Sequence, residues 1–251
     1  MYRYFIELSY EGCGFLGWQL QARGITVQAT LNQALETLLR HQLSTTGAGR
    51  TDTGVHAREF YAHFDTGVFL DAKACRKLAY KLNHILPAGL AIHHIMQVSS
   101  NAHARFDAIS RTYEYLITRR KNPFLQNRAW LLERDLDLSQ MQKAALHLTG
   151  EKDFSAFSRS GSQTSSGRCN VMQAEWKQHE DLLVFRITAD RFLRNMVRAI
   201  CGTLVEVGYH KRLPEAIPGI IKSKSPHRAG YSAPAHGLYL IRVTYPDTAF
   251  T

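Results

Sequence analysis

Thr46 to Phe60 reads TGAGRTDTGVHAREF, which packs three glycines, two arginines, an aspartate and a histidine between two apolar segments. Residues of these types at this density admit three kinds of chemistry. Glycines can bring backbone amides up to a phosphate, and GAGRTD begins G-x-G. Yet Asp52 takes the place of the third glycine of a dinucleotide fingerprint, and AREFYAHF continues as a strand instead of opening a helix. Asp52, His56 and His63 could surround a metal, but a catalytic first-row site calls for a tighter histidine pair on one element, so no metal is assigned. There remains a carboxylate displayed by a tight turn: Gly47, Gly49 and Gly54 let the chain bend and present Asp52 to a cleft, with Arg50 two residues away. A carboxylate is ionised near neutrality and can serve as a nucleophile without special tuning. A salt bridge that only pins the turn fits the same residues.

The elements that must position this loop follow from hydrophobic periodicity. Tyr4, Ile6 and Leu8 alternate as a strand, and Val27, Leu31, Ala34, Leu35 and Leu38 repeat at helical spacing behind a cap at Thr26. Phe60, Ala62 and Phe64 form a second strand. Ala74, Leu78 and Leu82 form a helix behind Asp71, and LAIHHIMQV is extended. The second half resembles that order. RTYEYLIT reads as a strand, LSQMQKAALHL as a helix ending at Gly150, VMQAEWKQ and LLVFRITA as a strand pair, FLRNMVRAICGTLVEV as a helix and LYLIRVTY as a closing strand. Mixed elements without strict βα alternation predict an α+β fold: two similar α+β halves sharing a mainly antiparallel central sheet. The boundary falls between Ala102 and Ile109, giving an N-terminal half 1–107 with the Asp52 loop and a C-terminal half 108–251. Ser158 to Arg168, SRSGSQTSSGR, is a Ser/Gly-rich loop whose Arg159 and Arg168 could clamp a polyanion.

Composition narrows the partner. The chain has 251 residues, with 31 Lys and Arg against 21 Asp and Glu, a net charge of +10, and such an excess favours nucleic acid over a neutral small molecule. Cys13, Cys75, Cys169 and Cys201 are dispersed without a C-x-x-C pair and read as reduced core thiols of a cytoplasmic protein. MYRYFIELSY reads as a strand and no run of about 18 apolar residues occurs, so neither a signal peptide nor a membrane helix is expected.

GRTDTGVHA (Gly49 to Ala57) resembles the signature of the TruA-type tRNA pseudouridine synthases, with Asp52 at the nucleophile's position. FLGWQ (Phe15 to Gln19), HARF (His103 to Phe106), SRTYEY (Ser110 to Tyr115), FLRNMVRAICGTLVEVG (Phe192 to Gly208) and GLYL (Gly237 to Leu240) resemble that family in order along nearly the whole chain. Two departures stand out: YEGC (Tyr10 to Cys13) where Y-D-G-T is usual, and GYS (Gly230 to Ser232) where G-P-T is usual. The resemblance implies isomerisation of uridine to pseudouridine in the anticodon stem-loop of tRNA, at positions 38 to 40 in tRNA numbering. It also implies a homodimer, and an active cleft between the two α+β halves. The N1 to C1′ glycosidic bond breaks, the uracil turns, and a C5 to C1′ bond forms, with no net redox change and no cofactor or metal.

Roles follow by matching positions. The resemblance makes Asp52 the nucleophile and gives Arg50 the flipping of the target base, a step that costs a few kcal/mol of lost stacking and pairing. Arg50 would hold the flipped state by pairing with Asp52 or with phosphate. Tyr113 matches the family's active-site tyrosine and would stack on the base or move a proton. His103, Arg105 and Phe106 combine an imidazole, a cation and an aromatic that can reach phosphate and stack on a base, and Leu238 is matched to an apolar contact with the uracil. A non-catalytic RNA-binding protein on the same fold fits the charge equally, but a carboxylate in an RNA cleft would only weaken its binding.

Overall fold

The computed structural model describes residues 1–159 and 166–250. By packing, the chain forms two compact units, Met1–Ile109 with Leu240–Thr251, and Ser110–Tyr239. The expectation of a mainly antiparallel α+β fold is met.

The first unit runs β1 (Tyr2–Tyr10), α1 (Val27–Leu39), the two-residue β2 (Thr46–Gly47), β3 (His56–Thr66), α2 (Ala72–Ile85) and β4 (Leu90–Val98). β1 is central and antiparallel to both β3 and β4, with Tyr4 opposite Phe64 and Ile6 opposite Ala62. Thr26 and Asp71 cap the helices as expected, their side chains accepting the N–H groups of Ala29 at 3.2 Å and Ala74 at 2.7 Å. In α2 the residues at i, i+3, i+4 and i+7, Cys75, Leu78, Ala79 and Leu82, are the buried ones, as an amphipathic helix requires. The alternation predicts one buried face for β1, yet Phe5 on the other face is also fully buried. Its cover comes from the chain's far end, with the rings of Tyr245 at 5.5 Å and Phe250 at 6.0 Å.

The second unit contains β5 (Ser110–Thr118), β6 (Trp130–Leu131), α3 (Leu138–Leu146), β7 (Gly150–Asp153), β8 (Arg168–His179), β9 (Leu182–Ala189), α4 (Met196–Gly208) and α5 (Ala216–Ser223). Its strands lie in the order β5-β9-β8-β7, antiparallel, with β6 added parallel to β5. α4 starts four residues later than the pattern from Phe192 suggests, because Asn195 takes a left-handed conformation, φ 68°, which no α-helical turn accommodates. α5 is absent from the periodicity reading because AIPGII looks broken by Pro218. Proline is tolerated there because it lies in the first turn, where its missing N–H has no intrahelical partner to lose. β10 (Leu238–Thr244) leaves the second unit and carries the chain back into the first.

Candidate active site

Asp52 stands on a turn whose neighbours are clamped. The turn closes with the Val55 N–H donating to the Asp52 carbonyl at 3.1 Å, and Gly54 has φ +79°, a value glycine adopts without a Cβ clash. Thr51 is buried, and its hydroxyl meets the Tyr10 hydroxyl at 2.8 Å. The Thr51 carbonyl accepts the Trp18 N–H at 3.2 Å. Trp18 in turn is 1% exposed, its ring 4.3 Å from that of Phe60 on β3, and Gly47 passes directly beneath it. Thus β1, β3 and the Trp18 segment fix the backbone on one side of Asp52, while the aspartate itself is half-buried. A carboxylate held this way loses little freedom when it reacts.

Arg50 shares the loop and is exposed. The clamped residue is Thr51, and Arg50 lies outside the clamp.

The HARF turn is built around its histidine. His103 Nδ1 accepts the N–H groups of Arg105 at 3.1 Å and Phe106 at 3.2 Å, while the His103 N–H donates to Asp107 Oδ2 at 2.7 Å. The ring therefore points into its own turn and shapes it. Arg105 and Phe106 are displayed outward, the guanidinium 5.6 Å over a ring that is 74% exposed. Beneath them His63 Nδ1 accepts the Ala104 N–H at 3.1 Å, and its ring lies 4.7 Å from that of His103. Burial, reinforced by Arg3, lowers both imidazoles, His63 to about 4.

This yields a pH prediction. His63 is neutral in the fold down to about pH 4, whereas in the unfolded chain it takes up a proton near its ordinary 6.5. Its contribution is fully present above about pH 6.5 and is lost as pH falls toward 4. Melting temperatures recorded from pH 7 to 4.5 should fall less in His63→Gln than in the wild type. Parallel curves would remove His63 from this account.

In the second unit Tyr113 is half-buried on β5, opposite Ile187 and edge-on to Phe192 at 5.1 Å. Tyr115 is instead a core residue, 0% exposed, donating its hydroxyl hydrogen to the Pro234 carbonyl at 2.8 Å. Leu238 begins β10 and is 5% exposed. Arg159 is exposed, and Arg168 pairs with Glu151 at 2.8 Å. The loop between them falls, at residues 160–165, outside the described residues.

Sequence reasoning gave no role to the supports Tyr10, Thr51 and Trp18, which lie within the stretches YEGC, GRTDTGVHA and FLGWQ compared with the family. Of the four thiols read as core, Cys13 is exposed and the other three are buried. Among the described residues one group, Glu11, Cys13 and His56, brings possible metal-ligand atoms within 4.8 Å of one another, a different set from Asp52, His56 and His63. No helix is long and apolar enough to cross a membrane among the described residues.

Comparison with known proteins adds the following. Residues 144–246 match the family model described as tRNA pseudouridine synthase. The chain is 44% identical over 250 residues to the tRNA pseudouridine synthase A of Parabacteroides distasonis, covering 100% of this chain and 98% of that protein. It is 45% identical over 250 residues to the protein of the same name from Bacteroides fragilis, covering 99% and 98%. A crystal structure of a Cbf5-Nop10-Gar1 complex aligns with 94% of this chain and 48% of its own at 12% identity and a TM-score of 0.38, a likeness too slight to carry an argument.

Proposed function

The chain belongs to the tRNA pseudouridine synthase A family, isomerases acting on tRNA, and on that premise we propose that it converts uridine to pseudouridine at positions 38 to 40 of the anticodon arm. The observation that carries this is the Asp52 turn, a carboxylate presented from a backbone clamped through Thr51 to Tyr10 and Trp18. The reaction exchanges one bond to C1′ for another, N1 to C1′ for C5 to C1′, with no net change in oxidation state. What it asks of the protein is an anionic group beside the sugar and base, a cation to hold the flipped nucleotide, and a flat ring for the uracil. Asp52, Arg50 and Tyr113 are assigned to these roles. Residues 1–107 are the half that brings the nucleophile, and 108–251 the half that completes the site.

His103, Arg105 and Phe106 are assigned to the tRNA, with the His103 ring also supporting their turn. Leu238 is assigned to the uracil, and Arg159 and Arg168 to the phosphate backbone. Arg105→Ala should weaken tRNA binding and reduce the slope of log affinity against log salt by about one phosphate contact. Titrations at several salt concentrations measure this, and an unaltered slope removes Arg105 from the interface. A homodimer and a cytoplasmic setting belong to the same reading. Sedimentation at micromolar concentration tests the first, and a monomer-sized particle rejects it.

The deciding experiment maps pseudouridine by position in unmodified tRNA transcripts after incubation with the purified protein alone. New pseudouridine confined to positions 38 to 40 is the expected result. Product elsewhere in tRNA overturns the site, and tight binding without product favours an RNA-binding protein.

A further inference from the structure

The excess of positive charge is concentrated on one helix. α2, AKACRKLAYKLNHI, holds Lys73, Arg76, Lys77 and Lys81 and neither aspartate nor glutamate. The other α-helices among the described residues carry Lys143, Arg198 and Lys222 against Glu36 and Glu206. At 3.6 residues per turn the four cations and Tyr80 share an arc of about 140°, opposite the buried stripe of Cys75, Leu78, Ala79 and Leu82. All four cations are exposed, and Tyr80, in their midst, is 64% exposed. The support beneath them is fixed. α2 packs on β4 and α1, and the Asn83 side chain donates to the Ile92 carbonyl at 2.8 Å and accepts the Ile92 N–H at 2.7 Å.

This pattern works against the helix that carries it. Lys73 and Lys77, and Lys77 and Lys81, are like charges at i, i+4, which destabilise a helix. Among the described residues none of the four cations forms an ion pair with a carboxylate, and the adjacent Asp71 caps the helix through the Ala74 N–H. A polyanion laid along the stripe would relieve the repulsion. From Lys73 to Lys81 the stripe runs about 12 Å, which exceeds one phosphate and suits several in succession. A lipid surface is a poor match, because a membrane-seated helix needs a free apolar face and that of α2 is buried in the unit.

The stripe is also set apart from the HARF turn. The Leu70 N–H, at the entry to α2, donates to the Tyr4 hydroxyl at 2.7 Å, so α2 covers the sheet face of Tyr4 and its neighbour Phe64. His63, which accepts the Ala104 N–H beneath the HARF turn, is paired with Phe5. Successive strand residues point to opposite faces, so α2 and the HARF turn lie on opposite sides of one sheet.

We propose that the outer face of α2 is a second RNA-binding surface, which holds the phosphate backbone of an RNA duplex without reading its sequence, while a first RNA occupies Arg105 and Phe106. Duplex RNA hides its bases in a deep, narrow major groove and offers a helix its phosphates and 2′-hydroxyls. Lysine and arginine meet the phosphates, and the Tyr80 hydroxyl can donate to either group.

The probe is an end-labelled RNA duplex of roughly 20 base pairs without a loop, titrated into the full chain at several salt concentrations. Lys73→Gln, Arg76→Gln, Lys77→Gln and Lys81→Gln combined should weaken its binding about 10-fold or more near 100 mM salt and reduce the slope of log affinity against log salt by about three phosphate contacts. The melting temperature should equal or exceed that of the wild type, since like charges are removed. Should it fall, Lys77→Gln alone carries the test, with a loss of about one contact. Lys73→Arg, Lys77→Arg and Lys81→Arg combined should bind as the wild type does, and Arg105→Ala should hold duplex affinity within about two-fold. Duplex binding that the glutamine variants leave unaltered overturns the surface. Saturating tRNA should bind alongside the duplex, and displacement of the duplex would make α2 part of the tRNA interface and overturn the second site. Only the identity of the first RNA rests on the function proposed above. A protein without turnover on tRNA counts against that function, while the duplex titration still decides α2.

Discussion

Asp52→Asn should lower pseudouridine formation by at least about 10³-fold, some 4 kcal/mol of transition-state stabilisation, and leave tRNA affinity within a few-fold. The asymmetry has a cause. Amide for carboxylate removes the anion the reaction requires, but binding to a polyanion loses nothing when a negative charge disappears from the cleft. Thr51, which holds the turn to Tyr10 and Trp18, is untouched, so the local fold should survive. Single-turnover rates on unmodified transcripts, paired with equilibrium binding, separate the two quantities. Binding weakened tenfold would make Asp52 a structural residue.

The largest effect on stability is expected at Trp18. Trp18→Ala empties a 1% exposed site against Phe60 and Tyr10 and should cost about 3–5 kcal/mol, a fall of about 10 °C in melting temperature for a chain of this size. Because the Trp18 N–H is also a tether of the Thr51 carbonyl, slackening this segment displaces the neighbouring carboxylate. Below the melting range kcat should fall about 10-fold or more while tRNA affinity holds, since small misplacements at a reacting centre are costly. Trp18→Phe should keep most of both. A melting shift below about 2 °C in the alanine variant would show that the indole is not the keystone of this cluster.

Much of this arrangement can be read from residue types alone, and the parts that cannot have physical reasons. β1, α1, β3, α2 and β4 follow from periodicity because each buries a regular face, and the caps at Thr26 and Asp71 are local chemistry. α5 hides behind Pro218, whose penalty vanishes in a first turn. The late start of α4 depends on one left-handed residue, Asn195, which no hydrophobic period reports. At the site, Asp52 stands out because its motif is contiguous. Its supports do not, because the Tyr10 and Thr51 hydroxyls meet across 41 positions and Trp18 reaches Thr51 through the backbone. His103 reads as an RNA contact by type, and no residue pattern reports that its Nδ1 also accepts the N–H groups of its own turn.

The rings of Tyr245 and Phe250 that seal Phe5 bear on how the protein is made. Those partners sit roughly 240 positions apart, so the first unit carries an unusually non-local contact, of the kind that slows folding. Residues 1–109 leave the ribosome first. At about 5–20 residues per second they then wait roughly seven to thirty seconds for the rings of Tyr245 and Phe250 to emerge. Throughout that interval the nascent chain shows bare aromatic surface on β1, a window for aggregation and for chaperone capture. The half that begins synthesis is thus the half completed last, and a premature stop before Tyr245 would leave it unsealed, although the stop lies far along the chain from Asp52.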